Sequence, residues 1–368
     1  MSLRVGIYSP YLDTVGGGER YMLGIAEILS AENQVDVFLD SHLQTLDIKS
    51  ISEKITKLLN LDLSKINFIK APFGKGTKIW ERLNFLKKYD LLFYLTDGSV
   101  FYSSARTSIL HIQSPVKVSN NSLWKKIKSS SWDLIIYNSE FTKENCEKFW
   151  NINKLFPFRE IKSEVVYPQV NTEIFKPLKK KKQILTVGRF FGYLKDKKHQ
   201  LMIDSFKKMF DSGKINDWSF HLAGGAGEGD MDYVKELEQV AKGYPVHIHP
   251  NIEFKNLVTL YGESSIYWHA SGFGETDPTK MEHFGITTVE AMAAGCVPVV
   301  VNLAGQKEIV DNGENGMLWD EPSDMENKTL QLIKDDGLMK KLSEKAIKKS
   351  KNFSLEKFIE RINGLVSQ

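Results

Sequence analysis

At 368 residues the chain exceeds the roughly 250–300 residues at which a single core divides, which predicts two domains. A hydrophobic fraction of 42% with 26% charged residues excludes a disordered chain, and a net charge of +3 is too small to make nucleic acid a partner. Two distant cysteines, Cys146 and Cys296, exclude a disulfide framework, and no segment approaches the roughly 20 apolar residues of a membrane span, so a cytoplasmic protein is expected.

The first half alternates short apolar runs with helical patterns. Strands are expected at Arg4–Tyr8, Val35–Leu39, Leu91–Tyr94, Ser108–Ile112, Leu134–Asn138 and Glu164–Tyr167, with helices such as Glu19–Leu29 and Thr142–Phe149 between them. This alternation predicts a mostly parallel, doubly wound sheet. The basic run Lys179–Lys182 follows Pro177 and reads as a solvated linker. The pattern then restarts, with strands at Ile184–Val187, Trp218–Ala223, Val246–Ile248, Ile266–His269 and Val297–Val301. Helices are expected at Gln200–Asp211, Asp230–Lys242, Phe254–Glu263, Thr287–Ala294 and Ser323–Lys334. A second Rossmann-like domain follows from the restart. From Met339 to Val366 the chain reads as helical, with an apolar stripe from Phe353 to Leu365 that predicts docking on a core.

Three loops fall where parallel strands end. Gly16-Gly17-Gly18-Glu19 opens a helix, and its glycines permit close approach of a ligand, although the same motif also describes a tight turn. Val187-Gly188-Arg189-Phe190, followed by Lys195, Lys197 and Lys198, offers a bidentate guanidinium and point charges to a diphosphate, or else a solvated charged loop. The third, Glu282-His283-Phe284-Gly285-Ile286-Thr287-Thr288-Val289-Glu290, joins a glycine and a helix start to two carboxylates. That combination points to a nucleotide-sugar site: amides for phosphate, Glu290 for ribose hydroxyls and Glu282 for the sugar.

The run from Trp268-His269-Ala270 through Glu282–Glu290 to Glu308-Ile309-Val310 and Asn315-Gly316 resembles family 4 glycosyltransferases of the GT-B fold. Gly188-Arg189 with Lys197, the N-terminal Gly-Gly-Gly-Glu and Asn138-Ser139-Glu140-Phe141-Thr142 extend the resemblance over nearly the whole chain. The resemblance implies two Rossmann-like doubly wound α/β domains facing across a deep cleft. Residues 1–176 would bind acceptor and 177–352 the nucleotide-sugar, with the final helix, about 353–368, packing back onto the first domain. It further implies retaining transfer of a hexosyl group from a GDP-mannose or UDP-hexose type donor to a glycan, lipid-linked saccharide or small hydroxyl acceptor. Neither metal nor resident cofactor is then needed.

By the same resemblance Arg189 and Lys197 bind the diphosphate, and the backbone of Phe284, Gly285, Ile286 and Thr287 holds phosphates. Glu290 holds ribose, Glu282 and the strand-end His111 lie near the sugar, and Gly17 and Gly18 approach the ligand. A satisfied core histidine is the other reading of His111. GT-B folds also host nucleotide-sugar epimerases, sugar phosphorylases and non-catalytic binding subunits. Asp230-Met231-Asp232 spells a metal-binding D-x-D but opens a helix, where acids favour the dipole. Trp124-Lys125-Lys126-Ile127-Lys128 mixes aromatic and basic residues, which leaves open peripheral contact with anionic lipid at the inner face of a membrane.

Overall fold

The computed structural model describes residues 2–13, 16–45, 47, 52–53, 56, 61–96, 98–115, 123–150, 154–155 and 159–366. They form two compact units, residues 1–168 with 358–368, and residues 169–357.

Unit 1 is built on seven parallel strands in the order β3-β2-β1-β4-β5-β6-β9. They are β1 Arg4–Tyr8, β2 Gln34–Leu39, β3 Ile66–Lys70, β4 Leu91–Leu95, β5 Thr107–Ile112, β6 Leu134–Tyr137 and β9 Lys162–Val165. Two further two-residue strands, β7 Lys154–Leu155 and β8 Arg159–Glu160, pair antiparallel. Runs such as Leu-Leu-Phe-Tyr-Leu in β4 are buried throughout, because helices and loops cover a parallel sheet on both faces. One face packs Val5, Ile7, Val35, Val37 and Phe93 beneath helix Gly17–Leu29. The other packs Tyr8, Phe38, Tyr94 and Trp132 into an aromatic layer.

Unit 2 repeats the plan with six parallel strands in the order β12-β11-β10-β13-β14-β15. These are β10 Lys181–Val187, β11 Ser219–Gly224, β12 Val246–Pro250, β13 Ser264–His269, β14 Val297–Val301 and β15 Met317–Trp319. The strand order reverses between β10 and β13, and the crevice outside the carboxyl ends at such a switch point is where ligands bind in open α/β sheets.

Several expectations shift. β3 and β15 were not foreseen. The last strand of unit 1 lies at Lys162–Val165, earlier than Glu164–Tyr167. The unit boundary falls at Pro168–Gln169 rather than at 176–177, because Val170 donates its amide to Phe353 O at 3.1 Å and Phe175 packs edge-on to Tyr261. The basic run is no solvated linker. Lys181 and Lys182 open β10, and the Lys180 ammonium donates to Ser264 O at 2.7 Å and Ala294 O at 2.6 Å, with burial lowering its pKa. The C-terminal segment is two helices, Asp336–Ser350 and Leu355–Val366, because Ser354 is extended between them. Phe358, Ile362 and Leu365 of the last helix join the core of unit 1. Among the described residues no helix is long and apolar enough to cross a membrane.

Candidate functional site

The site in unit 2 gathers where β10 and β13 end. β10 runs out at Val187, and Gly188 follows, where a Cβ would sit 2.9 Å from Lys197 Cγ. The missing side chain therefore makes room for Lys197. The loop returns through Lys195 and Lys198, both with positive φ (46° and 54°), a conformation that costs a non-glycine residue about 1–3 kcal/mol. Such strain recurs at ligand-holding loops.

Lys197 Nζ donates to Glu282 Oε2 at 2.9 Å, and the two side chains are 25% and 23% exposed. On the other side of the carboxylate, His269 Nε2 stands 3.4 Å from Glu282 Oε2. Desolvation pushes the Glu282 pKa up, but Lys197 and His269 outweigh it and hold the carboxyl well below its usual value. Burial works against the Lys197 ammonium, yet Glu282 and Asp196 raise its pKa while the Arg189 charge opposes them. Arg189 is exposed, with its guanidinium 4.8 Å from the Phe191 ring centroid. Two cations that repel one another beside one carboxylate form a receptor for a multiply charged anion.

Burial lowers the His269 pKa and keeps the ring neutral. With its Nε2–H turned to Glu282, Nδ1 presents a bare lone pair, and it has no partner among the described residues. Asp196 Oδ1 and Gln306 Nε2 are likewise buried and unpaired. Buried polar atoms are nearly always satisfied, so orphans gathered at one crevice mark where a ligand supplies the missing bonds.

Glu282 leads into the helix Ile286–Ala293, capped by Gly285 at φ 118°. A Cβ at Gly285 would fall 2.5 Å from Gln306 Nε2, so only glycine fits. The Thr288 and Val289 amides bond Gly285 O, whereas Ile286 and Thr287 head the helix, where amides have no intrahelical acceptor. Tyr267 OH donates to Thr287 Oγ1 at 2.8 Å. Gly305 supports the turn from behind, since a Cβ there would sit 2.4 Å from His283 O.

The residues around this cluster have partners of their own. Glu290 is buried and accepts the Tyr261 hydroxyl at 2.9 Å, so it stands in the helix interior rather than open to solvent. The Phe284 ring packs edge-on to Phe353 at 5.3 Å, which leaves only its backbone for a ligand. Glu275 accepts from Lys198 at 2.9 Å, and Asp277 caps the short turn Pro278–Lys280 through Thr279. Asp230 accepts the amides of Gly192 and Gly227, each at 3.0 Å, so the D-x-D motif serves the backbone.

Unit 1 carries a second cluster at its strand ends. Glu19 is buried and accepts Gly16 N at 2.8 Å and Ser9 Oγ at 3.2 Å, closing the glycine turn. Gly18 lies against Gln113, whose Nε2 would be 2.3 Å from a Cβ there, while Gly17 faces open space. Asn138 Nδ2 donates to Gln113 O at 2.9 Å, tying the ends of β5 and β6 together. His111 is the last residue but one of β5. Its ring is fully buried, stacks on Tyr21 with centroids 4.0 Å apart, and sets Nδ1 3.2 Å from Ile136 O. Burial pushes its pKa down to about 3, which keeps the ring neutral, and its Nε2 is buried without a partner among the described residues.

Sequence reasoning missed His269, Gln306, Tyr261 and Gly305 as parts of the site. His269 alone carried a signal, the polar end of an otherwise apolar strand.

Residues 170–349 match the family model Glycosyl transferases group 1. A GDP-Man:Man(3)GlcNAc(2)-PP-Dol alpha-1,2-mannosyltransferase from Dictyostelium discoideum is 27% identical over 61% of this chain and 48% of its own length. An uncharacterized glycosyltransferase of Methanocaldococcus jannaschii is 29% identical over 64% of this chain and 59% of its own. The chain thus spans about half the length of the curated relatives it matches. Among solved structures, Anabaena HepE in complex with UDP superposes with a TM-score of 0.69 at 18% identity, covering 100% of both chains. A Rickettsia africae glycosyltransferase superposes with a TM-score of 0.71 at 16% identity, covering 99% of this chain and 97% of the other. The fold is GT-B.

Proposed function

We propose that the chain is a retaining hexosyltransferase that needs no metal and moves mannose from GDP-mannose to a hydroxyl of a glycan or lipid-linked saccharide. The observation that carries the proposal is the Lys197–Glu282–His269 cluster beside Arg189 at the switch point of unit 2. Arg189 and Lys197 take the diphosphate, the amides of Ile286 and Thr287 hold phosphate oxygens, and Glu282 exchanges its lysine for the sugar. The sugar's C1–O bond to phosphate breaks, and the electron pair leaves with the diphosphate. The acceptor oxygen bonds C1 on the same face and passes its proton to the departing phosphate oxygen. Fixed cations at that oxygen stabilise the charge that develops there, the task a metal performs elsewhere. Glu282 stands as the electrostatic partner of the positive sugar ring.

Mannose is favoured by the relatives that share sequence with this chain and are named for GDP-Man. A UDP-hexose is the second donor reading, favoured by the UDP-bound neighbour that shares the fold. The test is transfer from GDP-mannose and UDP-glucose to a panel of saccharide acceptors, with and without EDTA, followed by NMR of the new anomeric centre. EDTA-insensitive transfer with an α-linked product, abolished in Glu282→Gln, is expected. An inverted linkage, a metal requirement, or full activity of Glu282→Gln sinks the mechanism.

A further inference from the structure

Unit 1 carries a surface that its fold does not use. Helix Ile79–Leu86 lies between β3 and β4, and helix Leu123–Ser129 between β5 and β6. Because these strands are parallel, each helix begins at the strands' carboxyl ends, the edge that also holds Gly16–Gly18. At those starts Ile79 and Trp80 are 51% and 59% exposed, and Leu123 and Trp124 are 68% and 72% exposed. Ile127, one turn beyond Leu123, is exposed as well. Residues 123, 124 and 127 make one apolar stripe, which on an ordinary surface helix faces a core. Here the polarity is inverted, for among the described side chains of this helix the buried one is Ser129. The segments that leave the two helices come together, for Leu83, Lys87, Ser130 and Ser131 line one cavity of 420 Å³ with Tyr102 and Ser103.

Charge surrounds the apolar residues. Residues 75–88 hold Lys75, Lys78, Arg82, Lys87 and Lys88 against the single acid Glu81, and residues 123–129 hold Lys125, Lys126 and Lys128 with no acid. Lys78 Nζ sits 5.5 Å from the Trp80 ring centroid. Arg82 turns inward over Phe101, so the outward charge is carried by lysines. Exposed tryptophans among lysines match the interfacial layer of a bilayer, where indole rings settle at headgroup depth and ammonium groups meet lipid phosphate.

We propose that this face docks unit 1 peripherally on an anionic bilayer, with Trp80, Leu123 and Trp124 entering the headgroup layer and Lys75, Lys78 and Lys126 facing lipid phosphate. The docking is independent of the donor chemistry proposed for unit 2. It brings the strand-end edge of unit 1 to the membrane surface, where a lipid-linked acceptor would lie.

The test is flotation of the full chain with vesicles of phosphatidylcholine alone or with about 30% phosphatidylglycerol, at about 0.1 M salt. Binding at least about tenfold tighter to the anionic vesicles is expected, weakening as salt rises. Trp80→Ala with Trp124→Ala lowers vesicle affinity by about tenfold or more. Lys78→Gln and Lys126→Gln each lower it about fivefold, the equivalent of about 1 kcal/mol per lysine at an anionic surface. All these side chains are largely outside the core, so melting temperature stays at the wild-type value and serves as the folding control. Equal binding to both vesicle types, no binding to either, or variants that bind like the wild type would overturn the proposal. So would self-association that the tryptophan substitutions abolish while vesicles have no effect, because the face would then be an interface between copies of the chain.

Discussion

Glu282→Gln isolates the electrostatic core of the site. The substitution keeps the shape of the side chain and removes its charge, leaving Lys197 beside Arg189 without its 2.9 Å counter-ion. Breaking a fully buried pair costs about 3–5 kcal/mol. These side chains are about a quarter exposed, and water screens part of the loss, so a cost of about 1–3 kcal/mol is expected. For a unit of this size each kcal/mol lowers the melting temperature by about 2–4 °C, which puts the variant about 2–12 °C below wild type. The pH dependence carries a second signature. Because the folded-state pKa of Glu282 is depressed, its contribution is fully present above the unfolded value of about 4.5 and is lost as pH falls through the folded value. Acid unfolding of wild type therefore includes a component that Glu282→Gln lacks. The assay is thermal unfolding at neutral pH and at a series of acid pH values. Equal stability at pH 7 with an unchanged acid limb would refute the ion pair.

Gly285→Ala forces a Cβ to within 2.5 Å of Gln306 Nε2 at φ 118°, so a loss of about 1–3 kcal/mol with weakened nucleotide affinity is expected, read by melting and titration calorimetry. Tyr261→Phe removes a donor 2.9 Å from the buried Glu290 carboxylate and should lower stability by about 1–3 kcal/mol in urea unfolding. His221 stands 3.1 Å from His249 on β11 and β12, and burial with neighbouring cations pushes its pKa down to about 3. The unfolded chain takes up that proton near pH 6.5 and the folded chain does not, so stability is complete above pH 6.5 and erodes as pH falls toward about 3. His221→Gln should flatten the dependence of the urea midpoint between pH 7 and 5, and an unchanged slope would assign that dependence to other groups.

The doubling of the fold was legible because β1, β4, β10, β11 and β14 are buried on both faces and read as apolar runs bounded by turns. β3 was not, since Ile-Asn-Phe-Ile-Lys sits at the sheet edge with half of its side chains toward solvent. β15 is only three residues long. Lys181 and Lys182 hid the start of β10, because both are exposed and precede its first pair with β11 at Gln183. Glu282, Lys197 and Gly285 could be read locally, each belonging to a loop after a strand or before a helix. Partners such as Tyr261 and Gln306 come from other segments, and no local pattern ties them to the site. His111 shows a local pattern with two readings. The same Leu-His-Ile that ends a strand at a ligand edge also describes a ring turned inward onto Tyr21.

The most direct test of the account is a thermal-shift panel of GDP, UDP, ADP and their sugar conjugates, with and without EDTA. A ligand bound only by the folded chain at 100 times its Kd stabilises it by about 2.7 kcal/mol. One nucleotide diphosphate should raise the melting temperature regardless of EDTA, and the shift should vanish in Arg189→Ala. A panel in which no nucleotide shifts the wild type, or in which EDTA removes the shift, would contradict a metal-free diphosphate site at Arg189 and Lys197.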